Sequence, residues 1–444
     1  MAASPFAILA RSIRPLLANE KGNILAMTAF ALPALFATFG LGFETANWYQ
    51  VQRAMQNAAD SAAIAAATNG ESSYATEAKA VTKQYGFEHN VNGVTVTVSN
   101  TAPCPAGGTT CYSVTITKPI KLVLAKLVGF SGDTTYNGSL AKLITAKATS
   151  EQGTEPREYC VLALATSGAA QGIRTNGAPN ADLHGCDVMS NSDAVCNGHN
   201  LKAGHGDAHG SSSGCGTEQS SGMPEVTDGY ASLASNIPAN TCSAYPQKPA
   251  KKKDDDLPSS NQLSGSYGWT GNQVFCGDVQ LTGDVTLTGS SVAIIIRNGQ
   301  LDLNGYTMRT ASGAAATIIF SGDNTSGYTH APTGSGTLDI KAPTSGAWSG
   351  VALYQDPNLT SGVDITEAGN SPTWDMTGLV YLPHSSVTFS GVINKATNGL
   401  SCFAMVVDNI TVNGTATIFS QGQCDQAGLT MPSSNIPSRG KLVS

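Results

Sequence analysis

The sequence predicts an N-terminal transmembrane helix that continues into a small α+β module, followed by a mainly-β region, a right-handed parallel β-helix. Three observations lead to this prediction. Residues 22–43 contain no charged residue, residues 44–67 repeat alanine at helical spacing, and short apolar runs separated by turn residues recur beyond Tyr159. A β-sandwich is the alternative for the last region, because short strands with turn signals fit it too.

The apolar segment is long enough to stay in a membrane. As a helix, residues 22–43 would span about 33 Å, against a bilayer core of about 30 Å. A secretory signal has an apolar core of only about 7–15 residues, and no small-x-small cleavage triplet follows the segment. Pro33 predicts a kink, which membrane helices tolerate. We therefore expect a retained transmembrane helix over residues 22–43.

Charged residues on its flanks predict the orientation of this helix. Arg11, Arg14 and Lys21 precede it, whereas Glu44 follows it and the next cation is Arg53. Because positive flanks stay on the cytoplasmic side, residues 1–21 are expected in the cytoplasm and the rest of the chain is expected to be exported.

The cysteines agree with export. All ten lie beyond the apolar segment, and an even number confined to the exported part is typical of an oxidising compartment. Sequence alone leaves the connectivity open. A preference for neighbours favours Cys104–Cys111, where "CPAGGTTC" indicates a turn between two strands, and four further pairs: Cys160–Cys186, Cys196–Cys215, Cys242–Cys276 and Cys402–Cys424.

The composition narrows the class of protein. Only 12% of the residues are charged, about half of the roughly 25% that is usual in soluble domains. The chain is rich in glycine, and its recurring apolar runs favour extended β structure over disorder. The net charge is −7 without a basic stripe, so nucleic acid is not an expected partner. No cofactor is predicted.

The segment after residue 44 predicts a helix and a small α+β module. Trp48, Val51, Met55, Ala58, Ala59, Ala62 and Ala66 recur at helical spacing, and this narrow face suits close packing on another helix or a sheet. Either other subunits or the protein's own domain could supply that surface. A second helix follows Gly70, then "VTVTVSN" and "CYSVTITKPI" predict a hairpin, and the module ends near residue 152.

Residues 20–68 resemble the N-terminal segment of the TadE/TadG-like Flp (tight adherence) pilus-assembly family. The resemblance rests on "FALP" at Phe30–Pro33 and above all on "MQNAADSAAIAAA" at Met55–Ala67. It implies a pilin-like module in a single-pass protein of the bacterial inner membrane, with its bulk in the periplasm. The implied role is structural and non-enzymatic: anchor, scaffold or minor pilus subunit, with other pilus-assembly subunits as partners.

One position departs from that family pattern. Pseudopilins of this system are cut after a glycine and carry glutamate as the fifth mature residue. Counted from Gly22, the fifth residue here is Met27, which argues against cleavage and favours a retained anchor.

Residues 153–430 predict the β-helix, and residues 431–444 a flexible tail. Apolar cores start at residues 292, 317, 351, 379 and 405, so successive starts are 25, 34, 28 and 26 residues apart. Most are followed by a second alternating strand, as expected when coils stack and variable loops leave at one corner. The tract from Tyr159 to Ala194 also resembles the start of β-helical regions found downstream of TadG-like N-termini.

One loop holds the residue types of a metal site. "CNGHNLKAGHGDAHGSSSGC" contains Cys196, His199, His205, His209 and Cys215, which zinc could use. In a Gly/Ser-rich loop of an oxidising compartment a disulfide with solvated histidines is favoured, so no metal site is predicted. The charge run at residues 251–256 predicts an exposed loop.

Parallel β-helices also host polysaccharide-processing enzymes, and this is the alternative function. Such chemistry needs paired carboxylates, or an acidic calcium site, beside a basic residue. The candidate acids are Asp302, Asp339, Asp356, Asp364 and Asp375, and the candidate basic partners are Arg297 and Arg309. No two of these acids are identified at equivalent positions of adjacent coils with a basic partner.

We therefore expect a non-enzymatic surface that binds partner proteins or glycan. The three tryptophans of this region are either exposed for stacking on sugars or packed on a coil: Trp269, Trp348 and Trp374.

Overall fold

The computed structural model describes residues 20–70, 73–104, 110–166, 171–249, 256–323, 327–359, 365–367, 373–390, 402–419 and 424–443. The chain forms two compact units, one of Met1–Glu155 with Pro437–Ser444, the other of Pro156–Ile436. Arg11, Arg14, Asp364 and most of the charge run at residues 251–256 lie outside the described residues. The finer predicted boundaries at residues 21, 43, 152 and 430 remain predictions, although residues 433–442 of the predicted flexible tail form a strand.

The first unit is built on one long helix. Its elements are α1 (Glu20–Asn69), α2 (Tyr74–Gln84), a 3₁₀ helix (Ala125–Val128) and strands β1 (Thr95–Ala102), β2 (Cys111–Lys121), β3 (Thr134–Tyr136) and β4 (Ser139–Ala163). Helix α1 includes Pro33 and ends at Asn69. The next residue, Gly70, has a φ of +63°, the left-handed conformation that follows many helices.

The alanine face of α1 lies on the sheet of its own unit. Seven side chains are fully buried there: Met55, Ala58, Ala59, Ala62, Ala63, Ala66 and Ala67. They pack against β2 and β4 through residues that include Val114, Ile116 and Ala146. Small side chains let the helix approach the sheet closely, and this contact leaves none of the seven exposed to a neighbouring subunit.

The sheet of the first unit is antiparallel. Strands β1 and β2 form the predicted hairpin, with Thr95 opposite Thr117 and Val98 opposite Val114. Strand β4 pairs antiparallel with β2 and with β3. The predicted loop at residues 105–109 lies outside the described residues.

The second unit is mainly β and forms part of a large sheet. Its strands follow β4 along the chain: β5 (Ile173–Asn176), β6 (Asn180–Asp182), β7 (Asp187–Ser190), β8 (Ala194–Cys196), β9 (His205–Ala208), β10 (Ser212–Ser213), β11 (Glu218–Ser220), β12 (Gln262–Tyr267), β13 (Gly271–Cys276), β14 (Val279–Leu287), β15 (Val292–Arg297), β16 (Leu301–Asp302), β17 (Thr307–Thr310), β18 (Ala316–Ser321), β19 (Pro332–Thr333), β20 (Thr337–Lys341), β21 (Val351–Gln355), β22 (Ile365–Glu367), β23 (Thr373–Phe389), β24 (Phe403–Asn413) and β25 (Thr417–Phe419). The last strand, β26 (Ser433–Leu442), begins in the second unit and ends in the first.

Strands β5 to β25 pair in parallel, in an order that differs from their order along the chain. One ladder runs β13, β15, β18, β21, β23 and β24. It continues from β24 to β4, where Met405 lies opposite Val161, and then to β7, β9 and β11. The chain therefore enters the stack in its middle, proceeds to one end at β11, and resumes at the other end with β12 and β13.

The segment between β11 and β12 covers one face of this ladder. Ile294, Ile296 and Phe320 point into the inner core. The alternate residues Ala293, Ile295 and Ile319 belong to a second cluster, which Val226, Leu233 and Ile237 complete from the covering segment. Both faces of β15 are thus buried, which explains why "VAIII" at residues 292–296 is continuously apolar and does not alternate.

Candidate functional site

The N-terminal half of α1 differs from its C-terminal half because its large side chains are exposed. Phe30, Phe36, Phe39 and Phe43 are 72–84% exposed. In the described part of the chain, one helix is long and apolar enough to cross a membrane, over Met27–Asn69. The length and composition required of the predicted transmembrane helix are therefore present.

Glu44 marks the end of that apolar half. Its carboxylate accepts backbone hydrogen bonds from Val123 (2.8 Å), Leu124 (2.9 Å) and Ala125 (2.6 Å), at the start of the 3₁₀ helix. Burial raises the pKa of Glu44, but these three bonds and the nearby Lys126 outweigh burial, so the pKa lies below its ordinary value. In the sequence Glu44 stands out only as a flanking charge; a lone acid directly after a long apolar run is the signal that could have identified it as a structural contact.

Each histidine of the predicted loop forms contacts with different partners. His199 Nδ1 accepts a hydrogen bond from the backbone N–H of Leu201. His205 lies between Asp187 (3.2 Å) and Glu218 (3.1 Å). Nδ1 of the third, His209, lies 2.8 Å from a backbone carbonyl. Among the described residues, no group of three or more His, Cys, Asp or Glu side chains could hold a metal ion.

All ten cysteines are paired, in the five pairs that the preference for neighbours gave. Cα atoms lie 4.7–6.0 Å apart, inside the usual range for disulfides. Cys196 and Cys215 of the histidine loop are one of these pairs. Their sulfur atoms are bonded to each other, so neither is available as a thiolate ligand.

Two of the candidate acids are engaged in separate structural contacts. Asp302 accepts hydrogen bonds from Gln280 and Lys248. Asp356 accepts one from Ser321 at 2.6 Å, and Ser321 in turn accepts one from the buried Arg297.

Three charged residues lie opposite one another on adjacent strands. Arg309 on β17 lies opposite Asp339 on β20, which lies opposite Asp375 on β23. Two acids therefore occupy equivalent positions beside a basic residue, so the expectation that the acids are scattered is wrong for this pair. The residues are 30 and 36 positions apart, and this uneven loop length hid the equivalence.

Asp339 differs from the other two residues because its carboxyl group is partly buried and its pKa is raised. Its Oδ1 is buried and has no hydrogen-bond partner. Burial, reinforced by the charge of Asp375 and opposed by Arg309, raises the pKa of Asp339 to about 6.

Two of the three candidate tryptophans are internal. Trp374 is fully buried and Trp348 is 7% exposed, because each packs against a neighbouring aromatic ring. Of the two alternatives, exposed for stacking or packed on a coil, the packed one holds for Trp348 and Trp374. Trp269 is only partly buried and stacks on Tyr267, with ring centroids 4.1 Å apart.

Comparison with protein families gives one match. Residues 22–69 match the model of the family described as "Putative Flp pilus-assembly TadE/G-like". The match coincides with helix α1 and supports an involvement in Flp pilus assembly. No match to a curated protein or to a solved structure was found.

Proposed function

We propose that the protein is a membrane-anchored, periplasm-facing structural component of Flp pilus assembly that acts as anchor, scaffold or minor pilus subunit. The observation that carries the proposal is the family match over α1, the element whose N-terminal half exposes phenylalanines while its C-terminal half is seated on a sheet. One rigid helix then links the bilayer to a folded exported unit. The role requires no catalysis and no cofactor; its partners are other pilus-assembly subunits.

The location follows from charge and from the cysteines. A cytoplasmic N-terminus agrees with the basic residues before α1. Five disulfide pairs agree with an oxidising compartment such as the periplasm.

We further propose that the second unit is a parallel β-helix. Support comes from parallel pairing between successive coils, for example Val292 opposite Ala316 and Leu379 opposite Ala404. Aligned β-sandwiches are made of antiparallel sheets, which disfavours the alternative.

Carbonate extraction of membranes from cells that express the full chain tests the anchor. The double variant Phe30→Asp/Phe36→Asp places charges on exposed positions of the apolar half, where each costs about 2.5–3.5 kcal/mol in a bilayer, so the protein should leave the membrane pellet. The matched control Gln52→Asp/Asn57→Asp changes exposed positions of the same helix beyond Glu44 and should stay in the pellet. Recovery of the unsubstituted protein as a soluble periplasmic form cut near residue 40 would refute the anchor.

The Asp339–Asp375 pair favours glycan processing as a second candidate function. Adjacent strands lie about 4.8 Å apart, close to the roughly 5–5.5 Å between the carboxyl groups of retaining glycosidases. The test is incubation of the full chain, and of Asp339→Asn/Asp375→Asn, with uronate-containing and neutral polysaccharides. The structural proposal expects no cleavage by either protein; cleavage that the double variant abolishes would establish the enzyme.

A further inference from the structure

The segment after β2 exposes a dense set of apolar side chains. Within "KLVLAKLVGF", residues 121–130, five large apolar side chains are 37–76% exposed: Val123, Leu124, Leu127, Val128 and Phe130. The segment also contains two lysines and no acid. A contiguous apolar surface of this kind on a soluble protein marks a contact with another apolar phase.

Glu44 fixes this segment at one level of the long helix. The three backbone bonds to its carboxylate hold residues 123–125 beside the end of the apolar half. Leu124 also packs on Gly40 so closely that a methyl group there would lie 3.1 Å from Leu124 Cδ1. The level is therefore residues 40–44, where the proposed transmembrane helix leaves the bilayer.

The apolar surfaces of the segment and the helix are continuous. Phe36, Phe39 and Phe43 line one groove together with Leu127 and Val128. Farther along the helix, the ring of Trp48 lies 5.7 Å from that of Phe130. Aromatic side chains concentrate at the membrane–water interface, and lysines beside an apolar face attract anionic headgroups.

We propose that residues 121–130 form a second membrane contact, which lies in the outer leaflet of the bilayer beside the transmembrane helix. Its apolar side chains enter the acyl-chain boundary by about 5–10 Å, as interfacial segments do, and Lys126 lies among anionic headgroups. The inference rests on the proposed membrane anchor. It adds that the anchor touches the bilayer at two places, which restricts tilt and rotation of the helix and orients the first unit.

Fluorescence quenching by brominated lipids tests the contact in the full chain. A small fluorescent amino acid is introduced by codon suppression at Leu127, at Phe30 in the middle of the apolar half, or at Glu77, which is exposed on α2. Each protein is reconstituted in nanodiscs with anionic lipid, brominated either near the headgroup or near the end of the acyl chain. Glu77 serves as the control outside the bilayer because α2 lies far along α1 from Glu44. Tyr85, at the end of α2, forms a hydrogen bond with Ser61, and Ser61 is about 25 Å from Glu44 along α1 at 1.5 Å per residue.

The expected result separates the three positions. The label at Phe30 is quenched most by deep bromine, the label at Leu127 most by shallow bromine, and the label at Glu77 by neither. Strong quenching at Phe30 without quenching at Leu127 overturns the inference and leaves the anchor intact; it is also the result expected if a second copy of the chain covers the segment. Absence of quenching at Phe30 overturns the anchor itself, and the second contact with it.

A variant of Glu44 tests how the segment is held. Glu44→Gln removes the charge and one acceptor oxygen, so shallow quenching at Leu127 should fall while deep quenching at Phe30 stays unchanged. The control Glu88→Gln removes another carboxylate of the first unit, one that pairs with Lys83 at the surface, and should change neither. Equal loss in both variants would contradict the assigned role of Glu44.

Discussion

The two units differ in the size of the side chains at their main buried contacts. In the first unit, alanines of α1 meet an antiparallel sheet, and the contact is close because the side chains are small. In the second unit, parallel strands such as β15 are buried on both faces, and large side chains such as Phe320 and Tyr354 fill the inner core and the cluster beneath the covering segment. The first interior should therefore be sensitive to added volume and the second to lost volume.

The largest expected effect is loss of volume in the second unit. Phe320→Ala empties a fully buried site and should reduce the free energy of unfolding by about 3–5 kcal/mol. Guanidinium unfolding, with hydrogen exchange to assign the change to the second unit, measures it. Val274→Ala, at a position 43% exposed, is the control and should cost far less; similar costs at both positions would break the comparison.

The second largest expected effect is the loss of stability when the buried ion pair of the second unit is broken, compared with an exposed ion pair of the first unit. Asp207 is fully buried and receives hydrogen bonds from Arg157 (2.8 Å) and Tyr159 (3.0 Å). Asp207→Asn leaves Arg157 without this partner and should cost about 3 kcal/mol. Glu88→Gln breaks an exposed pair of the first unit and should cost less than about 1 kcal/mol. Unfolding midpoints that shift equally would show that burial does not separate the two pairs.

Added volume in the first unit should have an intermediate effect. Ala62→Leu forces three more carbon atoms into the contact between α1 and the sheet, and it should cost about 2 kcal/mol. Ala54→Leu makes the same change on the exposed face and should stay within about 0.5 kcal/mol of the unsubstituted protein. Thermal unfolding of the pair measures the difference, and tolerance of leucine at position 62 would show that the contact is loose.

The smallest expected effect depends on pH. The pKa of Asp339 is raised to about 6, from an ordinary value of 3.8, so the folded protein keeps this proton over a range where the unfolded chain has lost it. Stability is therefore higher below pH 4 by this contribution and falls as pH rises towards 6, by about 1 kcal/mol after allowance for partial exposure. Asp339→Asn should remove that slope and stabilise the protein at pH 8.

Unfolding at a series of pH values measures this effect. Asp256→Asn, at an exposed position, is the control and should keep the slope. If Asp339→Asn were less stable than the unsubstituted protein at pH 8, the attraction between Asp339 and Arg309 would outweigh the cost of burying the Asp339 carboxylate.

Several elements could be predicted from the sequence because they depend on local pattern. The apolar run, the alanine face and the β1–β2 hairpin repeat with the period of their own secondary structure, and the cysteine pairs join neighbours along the chain. The motif at Met55–Ala67 lies within the residues that match the pilus-assembly family.

Other features were decided only by the tertiary structure. The chain enters the parallel ladder in its middle, so Val161 lies opposite Met405, and no local pattern encodes a pairing across that separation. Arg309, Asp339 and Asp375 align because β17, β20 and β23 pair in parallel at this register, and Trp374 is buried because a neighbouring ring packs on it. Glu44 gained its partners from a segment about eighty residues away. The sequence determined which stretches are apolar and how they repeat. Which surfaces those stretches contact depended on residues distant in the chain, because such contacts stabilise the protein only after the intervening chain has folded and closed.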